Sequence, residues 1–369
     1  MNKKPSKVLL TFISILSLII GILAGAFAYH YTNLPLSDSI VSGDLKIHFL
    51  ELGNEYAGDS ILIQVGEVDI LVDAGSKTSS METIKTYLDT NVNDKILEYV
   101  IVTHAHEDHY ANFAGNGETS LFTYYQVNNI IQFAKTNQTT GKMYNNYLKM
   151  VEKEQEEGAK VYTALECYQN QNGCNKNTDL GHGVELEILN NYYYTNKAES
   201  ENDYSVCFMI NQGDNHFLFT GDLENSGEEK LIELNSLPEV TLFKAGHHGS
   251  NTSSSSSLLE VIKPDIVVIT AVAGSVEYTQ NLFNTFPTFN VLNRVKDYTD
   301  KVYVTSQATI SIVNDEYETT GFSSLNGDIV VTSNKNGVEV IGSNHSKILK
   351  DTEWYKSYYS QYRNNDLPW

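Results

Sequence analysis

His104, His106, Asp108 and His109 fall within six residues, in the order His-Ala-His-Glu-Asp-His. Three imidazoles and a carboxylate this close together are a poor composition for a core or a plain solvated loop. They are four good ligands for zinc or a similar borderline cation. The run before them, Val100-Ile-Val-Thr103, is apolar and β-branched, so it reads as a strand that delivers the cluster to the rim of a sheet. His104 and His106 alternate around Ala105 and can reach one cation, while Asp108 and His109 turn toward a neighbouring position. That arrangement suits two metal ions ~3.5–4 Å apart.

Two further apolar runs end in ligand types. Phe217-Leu-Phe-Thr-Gly-Asp222 is a strand entering a glycine turn that presents a carboxylate. Alone it is weak evidence, because Gly-Asp is common turn chemistry. Thr241-Leu-Phe-Lys-Ala-Gly-His247-His248-Gly-Ser250 ends at paired histidines between glycines, and by itself could be an ordinary turn. Three strand ends that each deliver a ligand reinforce one another.

The elements that must position these residues follow an α/β rhythm. Strands are predicted at 45–50, 61–65, 69–72, 100–103, 184–189, 205–210, 216–220, 241–244 and 265–269. Helical spacing predicts helices at 79–88, 143–157, 228–234 and 256–262. No sharp linker separates the halves, so residues 45–343 are expected to be one domain with two packed sheets. The tail, 344–369, carries Trp354, Tyr355, Tyr358, Tyr359 and Tyr362 at spacings that suit an amphipathic helix packed back on that domain.

Composition restricts the setting. Lys3, Lys4 and Lys7 precede an uncharged apolar run from Val8 to about Tyr29, long enough to span the ~30 Å hydrocarbon layer. Residues 1–30 read as a signal anchor, with a cleaved signal peptide as the alternative because Ala26-Phe-Ala28 resembles a cleavage site. Residues 31–44 read as a stalk. Basic residues before the segment place the remainder outside the cytoplasm, membrane-anchored or secreted. The net charge of −21 repels polyanions, so nucleic acid is a possible but disfavoured partner. Cys167 and Cys174 flank a polar loop and could close a ring after export, whereas Cys207 lies in an apolar strand as a buried thiol.

Taken together, the ordered set His104, His106, Asp108, His109, then Thr-Gly-Asp222, then Gly-His247-His248-Gly-Ser resembles the metallo-β-lactamase-fold hydrolases over roughly residues 45–343. Within them the chain is most similar to the hydrolase domain of ComEC-type competence proteins, through Gly58-Asp-Ser-Ile-Leu-Ile, Val72-Asp-Ala-Gly, Lys-Ala-Gly-His-His-Gly-Ser and Asp328-Ile-Val-Val-Thr-Ser. The phosphorylcholine esterases are a second similar group. The resemblance implies an αβ/βα sandwich and two zinc ions, with manganese as an alternative. It implies His104 and His106 at the first ion, Asp108 and His109 at the second, Asp222 bridging, and His247 rather than His248 completing the second site. Asp73 would orient the histidine loop from behind.

This chain departs from the pattern twice. Many relatives carry another histidine shortly before the strand leading to the bridging aspartate, where this chain reads Glu201-Asn-Asp203-Tyr-Ser. Asp203 or water is expected there, and His182 lies too early in the chain. The Gly-His-Pro of competence-type domains is replaced by Asn284-Thr-Phe-Pro287, which puts a substrate contact in doubt. The expected activity is metal-dependent hydrolysis by a metal-activated hydroxide, with Asp108 and Asp222 holding it and accepting its proton. The expected substrate is a phosphodiester or other ester. The alternatives are hydrolysis of lactones, lactams or thioesters, or a non-catalytic surface binding protein that keeps the fold.

Overall fold

The computed structural model of the chain describes residues 45–360 and 368–369. The expected membrane segment, the stalk and Tyr362 lie outside those residues. Among the described residues no helix is long and apolar enough to cross a membrane.

Runs rich in Val, Ile and Phe form the strands, as the β preference of branched and aromatic side chains requires. The first six are β1 (Leu45–Phe49), β2 (Ile61–Val65), β3 (Val68–Val72), β4 (Ile96–Val102), β5 (Gln126–Gln132) and β6 (Lys160–Thr163). The next eight are β7 (Asn177–Gly181), β8 (Val184–Ile188), β9 (Phe208–Gln212), β10 (Asn215–Phe219), β11 (Leu242–Lys244), β12 (Ile266–Ala273), β13 (Val302–Val313) and β14 (Glu316–Ser324). The chain then returns to the first sheet through β15 (Ile329–Asn334) and β16 (Gly337–Gly342). The first sheet runs β16-β15-β1-β2-β3-β4-β5-β6 and the second β14-β13-β12-β11-β10-β9-β8-β7. Both are mixed: β3 through β6 and β10 through β13 pair in parallel, and the remaining pairs are antiparallel.

Period-two alternation explains the layers. Phe208, Ile210, Phe217 and Phe219 face the first sheet in the central core, where Phe219 stacks on Phe208 at 4.6 Å and on Phe49 at 6.3 Å. Their neighbours Cys207, Met209 and Leu218 point the other way into a second apolar cluster. Helices α1 (Met81–Asn91), α2 (Glu107–Ala114), α3 (Lys142–Glu156) and α4 (Ala164–Tyr168) accompany the first half of the chain. Helices α5 (Asn225–Leu234), α6 (Ser256–Ile262), α7 (Phe289–Val295) and α8 (Glu353–Ser360) follow, and each contributes to the outer cluster. The result is the expected αβ/βα sandwich. The aromatic tail supplies α8, whose Tyr355 is buried in that cluster while Trp354 stacks on Tyr358.

One buried histidine lies away from the ligand cluster. His48 on β1 meets the Tyr87 hydroxyl through Nδ1 at 2.8 Å. Burial, aided by the charge of Lys46, lowers its pKa from 6.5 to about 3. Between those pH values the unfolded chain binds a proton that the folded chain refuses, so stability falls as pH drops below about 6.5, by up to about 1.4 kcal/mol per unit. His48→Gln should flatten the acid limb of a urea-midpoint profile measured from pH 7 to pH 4. An unaltered slope would show that His48 is not a source of acid sensitivity.

Candidate metal centre

The first sheet ends where β4 passes into Thr103, and Asp73, just beyond β3, anchors that point. Asp73 Oδ1 accepts the Thr103 backbone N–H at 2.8 Å, and Oδ2 accepts the Thr103 hydroxyl at 2.7 Å. The same Oδ2 meets His109 Nδ1 at 2.8 Å. A carboxylate on Nδ1 fixes the ring and turns Nε2 outward, and His109 Nε2 lies 3.1 Å from Asp222 Oδ2. His106 is the extended residue before α2, so Asp108 and His109 occupy the first helical turn while His104 and His106 precede it. His104 Nε2 and His106 Nδ1 are 3.0 Å apart.

The second sheet supplies the other half. β10 ends at Phe219, Gly221 two residues on adopts φ +55°, and the Ser205 hydroxyl accepts the Asp222 N–H at 3.0 Å. Imidazoles from both halves surround Asp222 Oδ2. The Nε2 atoms of His109, His248, His247 and His104 lie 3.1, 3.5, 3.9 and 4.0 Å from it. Among the described residues, the other oxygen, Asp222 Oδ1, is buried without a hydrogen-bond partner, as is His248 Nε2.

β11 runs into the paired histidines, which take φ +48° and +52°. This turn sends them to different places. His248 is fully buried, and its Nδ1 donates to the Thr270 carbonyl at 2.9 Å. Its Nε2 lies 3.6 Å from Asp108 Oδ2. Asp108, His109, Asp222 and His248 thus present ligand atoms that are all within 4.8 Å of one another. His247 is partly exposed and meets the Thr252 hydroxyl through Nδ1 at 3.0 Å. Of the two, His248 lies in the group with Asp108 and His109, while the sequence-preferred His247 approaches Asp222 Oδ2 to 3.9 Å from a more exposed position.

Electrostatics and donor chemistry both fit a bound cation. Burial disfavours charge on His248, yet the Asp222 and Asp59 carboxylates raise its pKa to about 10. Burial likewise opposes charge on His109, and Asp222 and Asp73 overcome it. His104 is driven the other way, by burial and then by the neighbouring His109. A buried pocket whose carboxylates draw positive charge toward its imidazoles suits a divalent cation, which would take the place of protons there. The unpartnered Asp222 Oδ1 and His248 Nε2 are the atoms such an ion would take.

Beneath these groups, Lys244 on β11 is buried with its ammonium 3.0 Å from Asp59 Oδ2 and donating to the Ala245 carbonyl at 2.9 Å. Asp59 also accepts the Thr270 hydroxyl and lies 3.5 Å from His248 Nδ1. The pair ties the loop before β2 to the second sheet. Lys244→Met strands a buried carboxylate and is expected to cost about 3 kcal/mol in chemical denaturation. A loss below about 1 kcal/mol would show that Asp59 does not depend on it.

Asp203, the candidate oxygen ligand, stands outside the clustered groups. Its Oδ1 accepts the Glu224 N–H at 3.2 Å just before α5, and burial pushes its pKa up to about 6. In the same segment Glu201 reaches the histidine loop, accepting the Ala105 N–H through Oε1 at 3.3 Å and the Asn137 N–H through Oε2 at 2.6 Å. His182 sits in the turn between β7 and β8 and faces Gly66 at the far end of β2. Sequence reasoning missed Glu201, for which no local signal exists, and the Lys244–Asp59 pair. A lysine inside the apolar run Thr-Leu-Phe-Lys was the available clue to that pair.

The chain is similar to Recombination protein 2 of Haemophilus influenzae, at 24% identity over 276 residues, 74% of this chain and 29% of that protein. It is similar to Competence protein ComA of Neisseria gonorrhoeae, at 24% over 250 residues, 67% of this chain and 29% of that protein. It therefore spans under a third of the length of these curated relatives. Among solved structures, the metallo-β-lactamase fold protein YhfI of Bacillus subtilis aligns with 70% of this chain and 95% of its own at 13% identity and a TM-score of 0.41. The family described as Anti-Pycsar protein Apyc1 matches residues 49–258, a stretch that includes the histidine cluster, Asp222 and both late histidines. With more than half of its length matched, the chain belongs to the Anti-Pycsar protein Apyc1 family.

Proposed function

We propose that this protein is a metal-dependent phosphodiesterase that works outside the cytoplasm. The observation that carries the reading is the convergence of four imidazole Nε2 atoms, from both sheets, within 4.0 Å of one oxygen of Asp222. Asp108, His109 and His248 would hold one cation, His104 and His106 a second, and Asp222 would lie between them. When bound, two such cations activate water and clamp the attacking and leaving oxygens of an in-line displacement, a geometry that suits phosphodiesters. Zinc and manganese are the candidates.

The chain's own groups supply the rest. Asp73 and the Thr270 carbonyl fix the ring orientations of His109 and His248, so both Nε2 atoms face the site. Asp222 and Asp108 would hold the attacking water and accept its proton. The net charge of −21 favours small or zwitterionic phosphodiesters over nucleic acid.

Location outside the cytoplasm is supported by the lysine-flanked apolar N-terminus and by the disulfide joining Cys167 to Cys174, since such bonds persist in oxidising compartments. Full-length protein loaded with zinc or manganese should hydrolyse bis(4-nitrophenyl) phosphate and leave a β-lactam intact. Hydrolysis of the lactam alone would overturn the phosphodiesterase reading. In intact cells the domain should be open to an added protease that cannot cross the membrane, and protection from it would overturn the location.

A further inference from the structure

Between β12 and α7 the chain runs past the metal centre as residues 274–288. Gly274 N–H donates to the Phe286 carbonyl at 2.8 Å, closing this segment into a loop. Glu277 Oε2 accepts the Ala57 N–H at 3.0 Å, and the Val276 N–H donates to the Thr319 hydroxyl at 3.0 Å. From α8, the Tyr358 hydroxyl meets the Thr285 hydroxyl at 2.8 Å and donates to the Leu282 carbonyl at 3.0 Å. The loop is therefore held at several points, which makes the position of its side chains meaningful.

Two aromatic residues of this loop face the ligands. Phe286 places its ring 5.8 Å from His247 and 6.4 Å from His248. Tyr278 packs against Phe286 at 5.3 Å and donates its hydroxyl to Asp108 Oδ2 at 3.3 Å. Phe286 directly precedes Pro287. Its ring offers no hydrogen-bond donor. Tyr278 is 57% exposed, so a ligand arriving from solvent can meet the same hydroxyl that touches Asp108.

We propose that Tyr278 is a substrate-contacting residue whose neutral hydroxyl donates to a non-bridging phosphoryl oxygen, supplying on this loop the polar contact that Phe286 cannot make. This assignment rests on the phosphodiesterase reading for its substrate class. The 3.3 Å bond to Asp108 is long for O–H···O, so the donor is easily drawn to an anionic oxygen entering beside it. Hydrogen bonds to charged groups are the stronger kind.

The test compares wild type with Tyr278→Phe as full-length, metal-loaded protein, using inorganic phosphate as the binding probe and bis(4-nitrophenyl) phosphate as substrate. Loss of the hydroxyl should weaken phosphate binding about tenfold and raise KM by a similar factor, with kcat little changed and metal content equal to wild type. Unchanged phosphate affinity would overturn the proposal. So would loss of bound metal in step with activity, which would make Tyr278 a positioning residue for Asp108. If wild type turned over no phosphodiester yet bound phosphate in a Tyr278-dependent way, the functional reading would fail while the contact stood.

Discussion

Asp222→Ala is expected to lose about 10³-fold or more in phosphodiester turnover and most of its bound metal, because this one side chain serves both ligand groups. Its Oδ2 is approached by Nε2 atoms from both sides of the sandwich, at distances from 3.1 to 4.0 Å. Its Oδ1 has no hydrogen-bond partner among the described residues, which leaves it open to a cation. Asp222→Asn, with similar shape but no charge, should also lose metal. It should do so with less damage to stability, since it keeps the side-chain volume that alanine removes, while the Ser205 hydroxyl accepts the residue 222 backbone N–H in both variants. Turnover and metal content are read on the same preparation. Retention of both in the alanine variant would remove Asp222 from the centre of the site.

The second large effect is structural and needs no metal to be seen. A Cβ on Gly75 would lie 1.6 Å from the backbone oxygen of Asp108 and 2.1 Å from its carbonyl carbon. These are main-chain atoms at the first turn of α2, and they cannot swing aside as a flexible side chain can. The Asp108 carbonyl is also committed to the Asp59 N–H at 3.0 Å, and the Gly75 N–H to the Asp59 carbonyl at 2.8 Å. Gly75→Ala must therefore displace the turn that carries Asp108 and His109. We expect a loss beyond about 4 kcal/mol in chemical denaturation, or failure to fold. Gly321→Ala is the control, since a Cβ there meets nothing within 4 Å and should change stability by less than about 0.5 kcal/mol. Equal behaviour of the two variants would contradict the packing described here.

These two sites differ in how visible they are from sequence. Asp222 was legible because an apolar strand reading Phe-Leu-Phe ends at Gly-Asp, and the same logic exposed the histidine cluster after Val100-Ile-Val. Strand periodicity states where a side chain reaches the rim. It does not state which of two adjacent histidines is the more deeply buried once both leave regular geometry, as His247 and His248 do. Asp203 is a chemically suitable carboxylate near the expected ligand position, and its Oδ1 accepts the Glu224 N–H before α5, a contact that periodicity does not state.

What lay hidden depends on contacts between distant parts of the chain. Glu201 supports Ala105 across 96 positions, and Tyr278 reaches Asp108 across 170. Neither sits in a local pattern that carries information about the other. The long β13–β14 pair was missed for a different reason. Several of its residues beyond Gln307, such as Ile312 at 69% exposure, leave the core, so burial no longer imposes a clear alternation.

Elemental analysis of the purified full-length wild-type protein, dialysed after loading with zinc or manganese, tests the central claim most directly. Two divalent ions per chain should be retained, falling to one or none in Asp222→Ala. A wild-type protein that retains no stoichiometric metal, or a variant that retains the same amount, would contradict the reading of this cluster as a two-metal centre.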